Sequence, residues 1–131
     1  MRIERSLHDQ IVEHARALAP DECCGIVATE DDRAVRVYPV TNAEASPLRF
    51  VMDPTEQLRV HTEIEDAGLE LGAIYHSHTR SEPYPSQTDI NFSRPWPGVI
   101  WIIVGLAGDE PEVRAYEISD GHVSEAQLEV V

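Results

Sequence analysis

The segment Val99-Ile100-Trp101-Ile102-Ile103-Val104-Gly105-Leu106 is apolar throughout. A run of this length, rich in β-branched residues, reads as a strand buried on both faces, and such a strand needs covering layers on both sides and a place at the centre of its sheet. A second apolar run, Leu69 to Tyr75, is expected as a strand ending at His76. Cys24 to Thr29, Ala34 to Val40 and Arg49 to Met52 carry β-branched residues between acidic or Pro/Asn-containing turns and are predicted as three early strands. Glu112 to Ile118 and Val123 to Val130 follow as further strands around the turn Ser119-Asp120-Gly121, the last of them beginning either as strand or as a short helix. Leu7, Ile11, Ala15 and Leu18 fall at helical spacing behind Ser6 as N-cap, with Pro20 as the stop, which predicts helix over 7–18. Asp53-Pro54-Thr55-Glu56 combines a cap, a first-turn proline and a capping-box glutamate, and Gly68 marks the end of a helix over 54–67. Strands and helices interleaved without strict βαβ alternation predict an α/β fold, a mixed sheet with helices on its faces.

The chain has 131 residues, enough for a single domain, residues 1–131, to bury a core without disulfide staples. Its ten basic and twenty-four acidic residues leave a net charge of −14, a field that repels phosphate backbones and anionic lipid surfaces. Neither nucleic acid nor a membrane is therefore expected as a partner. The acidic clusters at 30–32, 63–70 and 109–112 read as solvated faces and loops. No apolar run follows Met1-Arg2-Ile3-Glu4-Arg5, and the only cysteines are the neighbours Cys23 and Cys24, which suits a reducing compartment. The expectation is a cytoplasmic protein without a disulfide framework.

The chemistry concentrates between His76 and Asp89. At the end of an extended strand, residues i and i+2 share a face about 7 Å apart, so the imidazoles of His76 and His78 can converge on one ion. A loop with two prolines leads to Ser86, which can cap a helix whose first turn carries Asp89. Each piece alone has an ordinary explanation, because Ser-x-x-Asp is usually just a capping box. Together they present two nitrogens and one carboxylate at one strand-to-helix crossover, leaving open the fourth position that a catalytic zinc keeps for water. Glu22, just ahead of the Cys24 strand, could project over the neighbouring strand end and supply a base.

Glu22 followed by Cys24-Gly25 at the start of a strand, then His76-Ser77-His78, seven residues, Ser86, two residues and Asp89 resembles the JAMM metallopeptidases, the MPN-plus family. The similarity extends over roughly residues 3 to 118, through His14, the Asp53-Pro54 helix start and the strand after Trp96-Pro97-Gly98. It implies a three-layer fold like that of cytidine deaminases, with a curled mixed sheet flanked by helices. It also implies that His76, His78 and Asp89 bind one Zn2+ per chain, that Glu22 is general base and acid, and that Ser86 helps hold the oxyanion. Ser77 would face the other side of its strand in a structural role, and Thr79 stands where many relatives have proline. Short bacterial members resemble peptidases acting on ubiquitin-like sulfur-carrier proteins, which implies a partner with a C-terminal Gly-Gly tail and release of cysteine or another small amine.

Two rival readings come from other classes: a non-catalytic MPN scaffold, which typically lacks the ligands, and a RadC-like DNA-repair protein, opposed by the acidic charge and by Glu22 with Cys24-Gly25. A homodimer is compatible with the sequence. His8, His14, His61 and His122 lack ligand spacing to one another and need no role. Cys24 is expected to pack as a small hydrophobe, and Cys23 as a buried thiol rather than a redox-active one. Trp96 either lines a peptide groove or closes the core.

Overall fold

The computed structural model describes residues 1–131. Eight strands form one sheet in the order β7-β6-β5-β4-β2-β3-β1-β8: β1 (Arg2–Ile3), β2 (Cys24–Glu30), β3 (Arg33–Val40), β4 (Glu70–His78), β5 (Ile100–Gly105), β6 (Glu112–Ser119), β7 (His122–Ala126) and β8 (Glu129–Val130). The helices are α1 (Arg5–Leu18), α2 (Pro54–Asp66) and α3 (Gln87–Ser93). The sheet is mixed as expected: β4 and β5 run parallel through the crossover that carries α3, whereas β2–β3, β2–β4, β5–β6 and β6–β7 are antiparallel.

Alternation along β4 separates two cores. Ala73 and Tyr75 face α1, packing with Ile11, Ala15, Val27 and Ile102, while Ile74 faces α2, packing with Ile26, Val60, Ile64 and Trp101. The result is three layers, α1 on one face and α2 with α3 on the other. Gly25 makes the close approach of β2 possible, since an added Cβ would land in the Tyr75 ring of β4. The β2–β3 turn places Asp31 and Asp32 at φ 50° and 62°, and the β6–β7 turn places Asp120 and Gly121 at 50° and 79°, the left-handed pairs that tight hairpins require.

Several expectations are corrected. The strand expected at Arg49–Met52 is absent; only an isolated bridge joins Asn42 to Met52. Asn42 takes the ladder's place, accepting the Val51 N–H at 3.0 Å and donating to Arg49 O at 3.1 Å. The first helix starts at Arg5 rather than Leu7, with Glu4 instead of Ser6 as N-cap, because the Arg5 N–H is taken by Val131 O and the next turn closes on Glu4 O. The Asp53 side chain accepts from Glu56 N as a cap should, but the Glu56 carboxylate accepts the Thr41 N–H, since the Asp53 N–H already goes to Thr41 O. The expected last strand is split: β7 completes the hairpin, and β8 crosses to the opposite edge to pair with β1, a strand too short to show a pattern. Finally, β5 lies one place from the middle of the sheet, which is formed by β4 and β2.

Candidate active site

Strand β4 delivers His76 and His78 to the α2/α3 face at its C-terminal end, and both side chains are buried. Ser86 and Asp89 close a complete capping box on α3: Ser86 Oγ accepts the Asp89 N–H at 3.1 Å and Asp89 Oδ2 accepts the Ser86 N–H at 2.9 Å. The box fixes the Asp89 rotamer, so its carboxylate meets the two imidazoles. His76 Nε2 and His78 Nε2 are 3.2 Å apart, and each is 3.1 Å from Asp89 Oδ2. Three electron-pair donors so close repel one another unless a proton or a cation lies among them, and the set is one borderline-soft pair of nitrogens plus a hard oxygen, which fits zinc.

The surroundings hold this triangle rigid. His78 Nδ1–H donates to Glu82 O at 3.0 Å, so that Nε2 is the nitrogen turned toward the cluster. Nδ1 of His76 has no protein partner; instead its ring is clamped by packing, stacked on Phe50 at 4.6 Å and edge-on to Trp101 at 6.5 Å. The loop between β4 and α3 is pinned where Pro83 rests on Gly105, whose added Cβ would approach the proline ring to 2.7 Å, and where the Tyr116 hydroxyl donates to Pro83 O. Burial alone would raise the Asp89 carboxyl, but the His76 charge and the hydrogen bonds from both imidazoles and Ser86 N hold it far below the usual carboxylate range. Burial likewise pushes His78 down, and its bonds to Asp89 and Glu82 O more than reverse this.

Glu22 arrives from the opposite side. Antiparallel register pairs Cys24 with His76, so the residues just before β2 lie across the end of β4. Glu22 is 5 % exposed, and burial, partly countered by the charge of His78, pushes its carboxyl up to about 7. A carboxylate held near neutrality can both take and return a proton. Ser77 is turned to the other face, where its Oγ accepts the Cys23 N–H at 2.9 Å, in keeping with a structural role. Thr79 stiffens its loop differently from a proline: its hydroxyl donates to Pro20 O at 2.9 Å, tying the segment after His78 to the segment before Glu22.

All five residues singled out in the sequence are thus gathered at one end of β4, with Ser86 exposed at its rim. Cys24 is a core residue, and Cys23 is fully buried as expected, which pushes its thiol up to about 11. His14 bonds the Tyr75 hydroxyl at 2.7 Å on the α1 face of the sheet. Trp96 packs on the core, as one of its two readings expected, and it lines a cavity of 240 Å³ with Phe50, Phe92 and Trp101. Glu82 O, Thr79 and Phe50 were not legible as parts of the site, because nothing local marks a carbonyl or a loop residue that meets its partner through space.

A family profile described as prokaryotic homologs of the JAB domain matches residues 4–119. The CysO-cysteine peptidase of Mycobacterium tuberculosis is 41% identical over 132 residues, 98% of this chain and 90% of that protein. A desampylase of Pyrococcus furiosus is 36% identical over 110 residues, 83% of this chain and 76% of its own. Among solved structures, a JAB1/MPN domain protein from Archaeoglobus fulgidus superposes with a TM-score of 0.68 at 27% identity, covering all of this chain and 99% of that one. These relatives leave no place for the RadC-like alternative. The chain belongs to the prokaryotic JAB family of JAMM/MPN-plus metallopeptidases and is a hydrolase.

Proposed function

We propose that the protein hydrolyses an amide bond at the C-terminal glycine of a ubiquitin-like sulfur-carrier protein, releasing cysteine or another small amine. The observation that carries this reading is the convergence of His76, His78 and Asp89 within 3.2 Å of one another beside a buried Glu22. The three side chains would hold one zinc ion per chain. When bound, zinc lowers the pKa of water toward ~7 and polarises a carbonyl.

The chain's own residues do the rest. The Glu22 carboxylate takes a proton from the attacking water and later delivers it to the leaving nitrogen, which could not depart as an amide anion. The Ser86 Oγ already accepts the Asp89 N–H, so its own proton is left to donate to the carbonyl oxygen as charge develops there. Glu82 O fixes the His78 tautomer throughout. For the substrate, the names of the relatives support a carrier–amine adduct: one is a CysO-cysteine peptidase. Burial of His76, His78, Asp89 and Glu22 suits an extended tail ending in Gly-Gly, because a backbone without side chains comes closest to groups so enclosed.

Mass spectrometry after incubation with a carrier–cysteine adduct and, separately, with casein tests this. The adduct is expected to shorten by one cysteine while casein stays intact. Digestion of casein with the adduct untouched overturns the substrate assignment, and an inert protein with full zinc content would instead favour the non-catalytic scaffold.

A further inference from the structure

Asn42 opens the crossover between β3 and α2 and is 7 % exposed. Its carboxamide is saturated: Nδ2 donates to Glu22 O at 3.0 Å and to Arg49 O at 3.1 Å, and Oδ1 accepts from Glu44 N at 3.1 Å and from Val51 N at 3.0 Å. A primary amide has two donor hydrogens and two acceptor lone pairs, so no capacity is left over. Residues 43–51 contain no strand or helix, and the closure Ala43 N–H to Val51 O at 2.7 Å is the backbone bond beside the Asn42 hub.

Glu22 is bonded both to Asn42 and to this segment. Its C=O accepts from Asn42 Nδ2, and its N–H donates to Ser46 O at 2.8 Å. Its successor, Cys23, is bonded to Ser77 on β4. The main chain of Glu22 is therefore held from two directions: by β4, which carries His76 and His78, and by an irregular segment that the Asn42 side chain bridges at Glu44, Arg49 and Val51. If the second support moves, the carboxylate moves relative to the two imidazoles, although those imidazoles stay where β4 and α3 hold them.

We propose that Asn42 is a positioning residue for hydrolysis, holding the Glu22 backbone so that its carboxylate stands at the reacting water. This rests on Glu22 being the proton carrier. All four polar capacities of Asn42 go to the chain itself, so it acts through Glu22 and the 43–51 segment. A reacting group displaced by about 1 Å loses on the order of a hundredfold in rate.

The test uses N42D and N42A in the full chain with a carrier–cysteine adduct as substrate. N42D retains acceptors for Glu44 N and Val51 N but loses the donors to Glu22 O and Arg49 O; N42A loses all four bonds. Both are expected to bind zinc like the parent and to lose about 10- to 100-fold in kcat, with the N42D KM changed less than about threefold. Combined with E22Q, either substitution is expected to lower the residual rate no further, because groups acting as a unit are not additive. In the metal-free chain, deuterium exchange is expected to speed up over 20–24 and 42–51 while 70–78 stays protected. If N42A does not fold, N42D carries the same readouts. An unchanged kcat in a folded N42D protein, or an equal loss in the E22Q background, overturns the proposal. A near-normal rate for E22Q alone overturns the role of Glu22 itself, a separate result.

Discussion

Cys23 and Ser77 exchange two hydrogen bonds across the ends of β2 and β4: the Cys23 N–H donates to Ser77 Oγ at 2.9 Å and the Ser77 N–H to Cys23 O at 3.3 Å. The residue after the base is thereby clasped to the residue between two metal ligands. Ser77→Ala removes the acceptor and leaves the Cys23 N–H buried without a partner, which costs about 1–3 kcal/mol. Thermal denaturation should show that loss, and zinc content should be unchanged, since the His76 and His78 rings lie on the opposite face.

Metal binding should depend on each of the three converging side chains. His78→Ala and Asp89→Ala are expected to abolish both zinc and turnover, because two remaining ligands hold the ion poorly. Asp89→Ala should in addition loosen the start of α3, where the carboxylate accepts the Ser86 N–H. Elemental analysis after dialysis decides the matter: full zinc occupancy in both variants would refute the ligand assignment. Chelation of the parent protein should lower its Tm, and added zinc should restore it.

Glu22→Gln should retain zinc and lose about 10²- to 10⁴-fold in rate, because an amide cannot accept the proton. The same variant gives a signature without metal. Burial raises the Glu22 carboxyl from 4.5 to about 7 in the folded chain, so the protonated form is favoured by folding. That stabilisation is fully present below about 4.5 and is lost as pH rises through about 7. Metal-free parent protein should therefore lose stability relative to Glu22→Gln across this window. Parallel pH profiles of Tm for the two proteins would count against a raised Glu22.

Gly25→Ala should be among the most damaging substitutions outside the site. The new methyl would collide with the Tyr75 ring, which is fully buried and hydrogen-bonded to His14. Overpacking of this kind costs about 1–3 kcal/mol or more. Because the β2–β4 register brings Glu22 to the histidines, activity at temperatures where the variant is folded should fall as well. A variant with parental Tm and rate would show that β2 can shift without disturbing the site.

Much of the site was decided by local rules that the sequence carries on its face. Alternation along an extended strand puts His76 and His78 on one side and Ser77 on the other, and three-residue spacing at a helix start brings Ser86 and Asp89 into a capping box. The two-sided burial of β5 and the turn at Asp120-Gly121 are equally local. What only the tertiary structure decided is whatever depends on partners distant in the chain. The resemblance gave Glu22 its role, but the Cys24–His76 register, the bonds of Glu22 with Asn42 and Ser46, and those of Cys23 with Ser77 put it there. Residues 49–52 have a strand's composition and yet form none, because the Asn42 side chain satisfies the Arg49 C=O and the Val51 N–H, and the Ala43 N–H the Val51 C=O, in place of a neighbouring strand. Backbone hydrogen bonds must be satisfied somewhere, and composition reports the need without naming the partner.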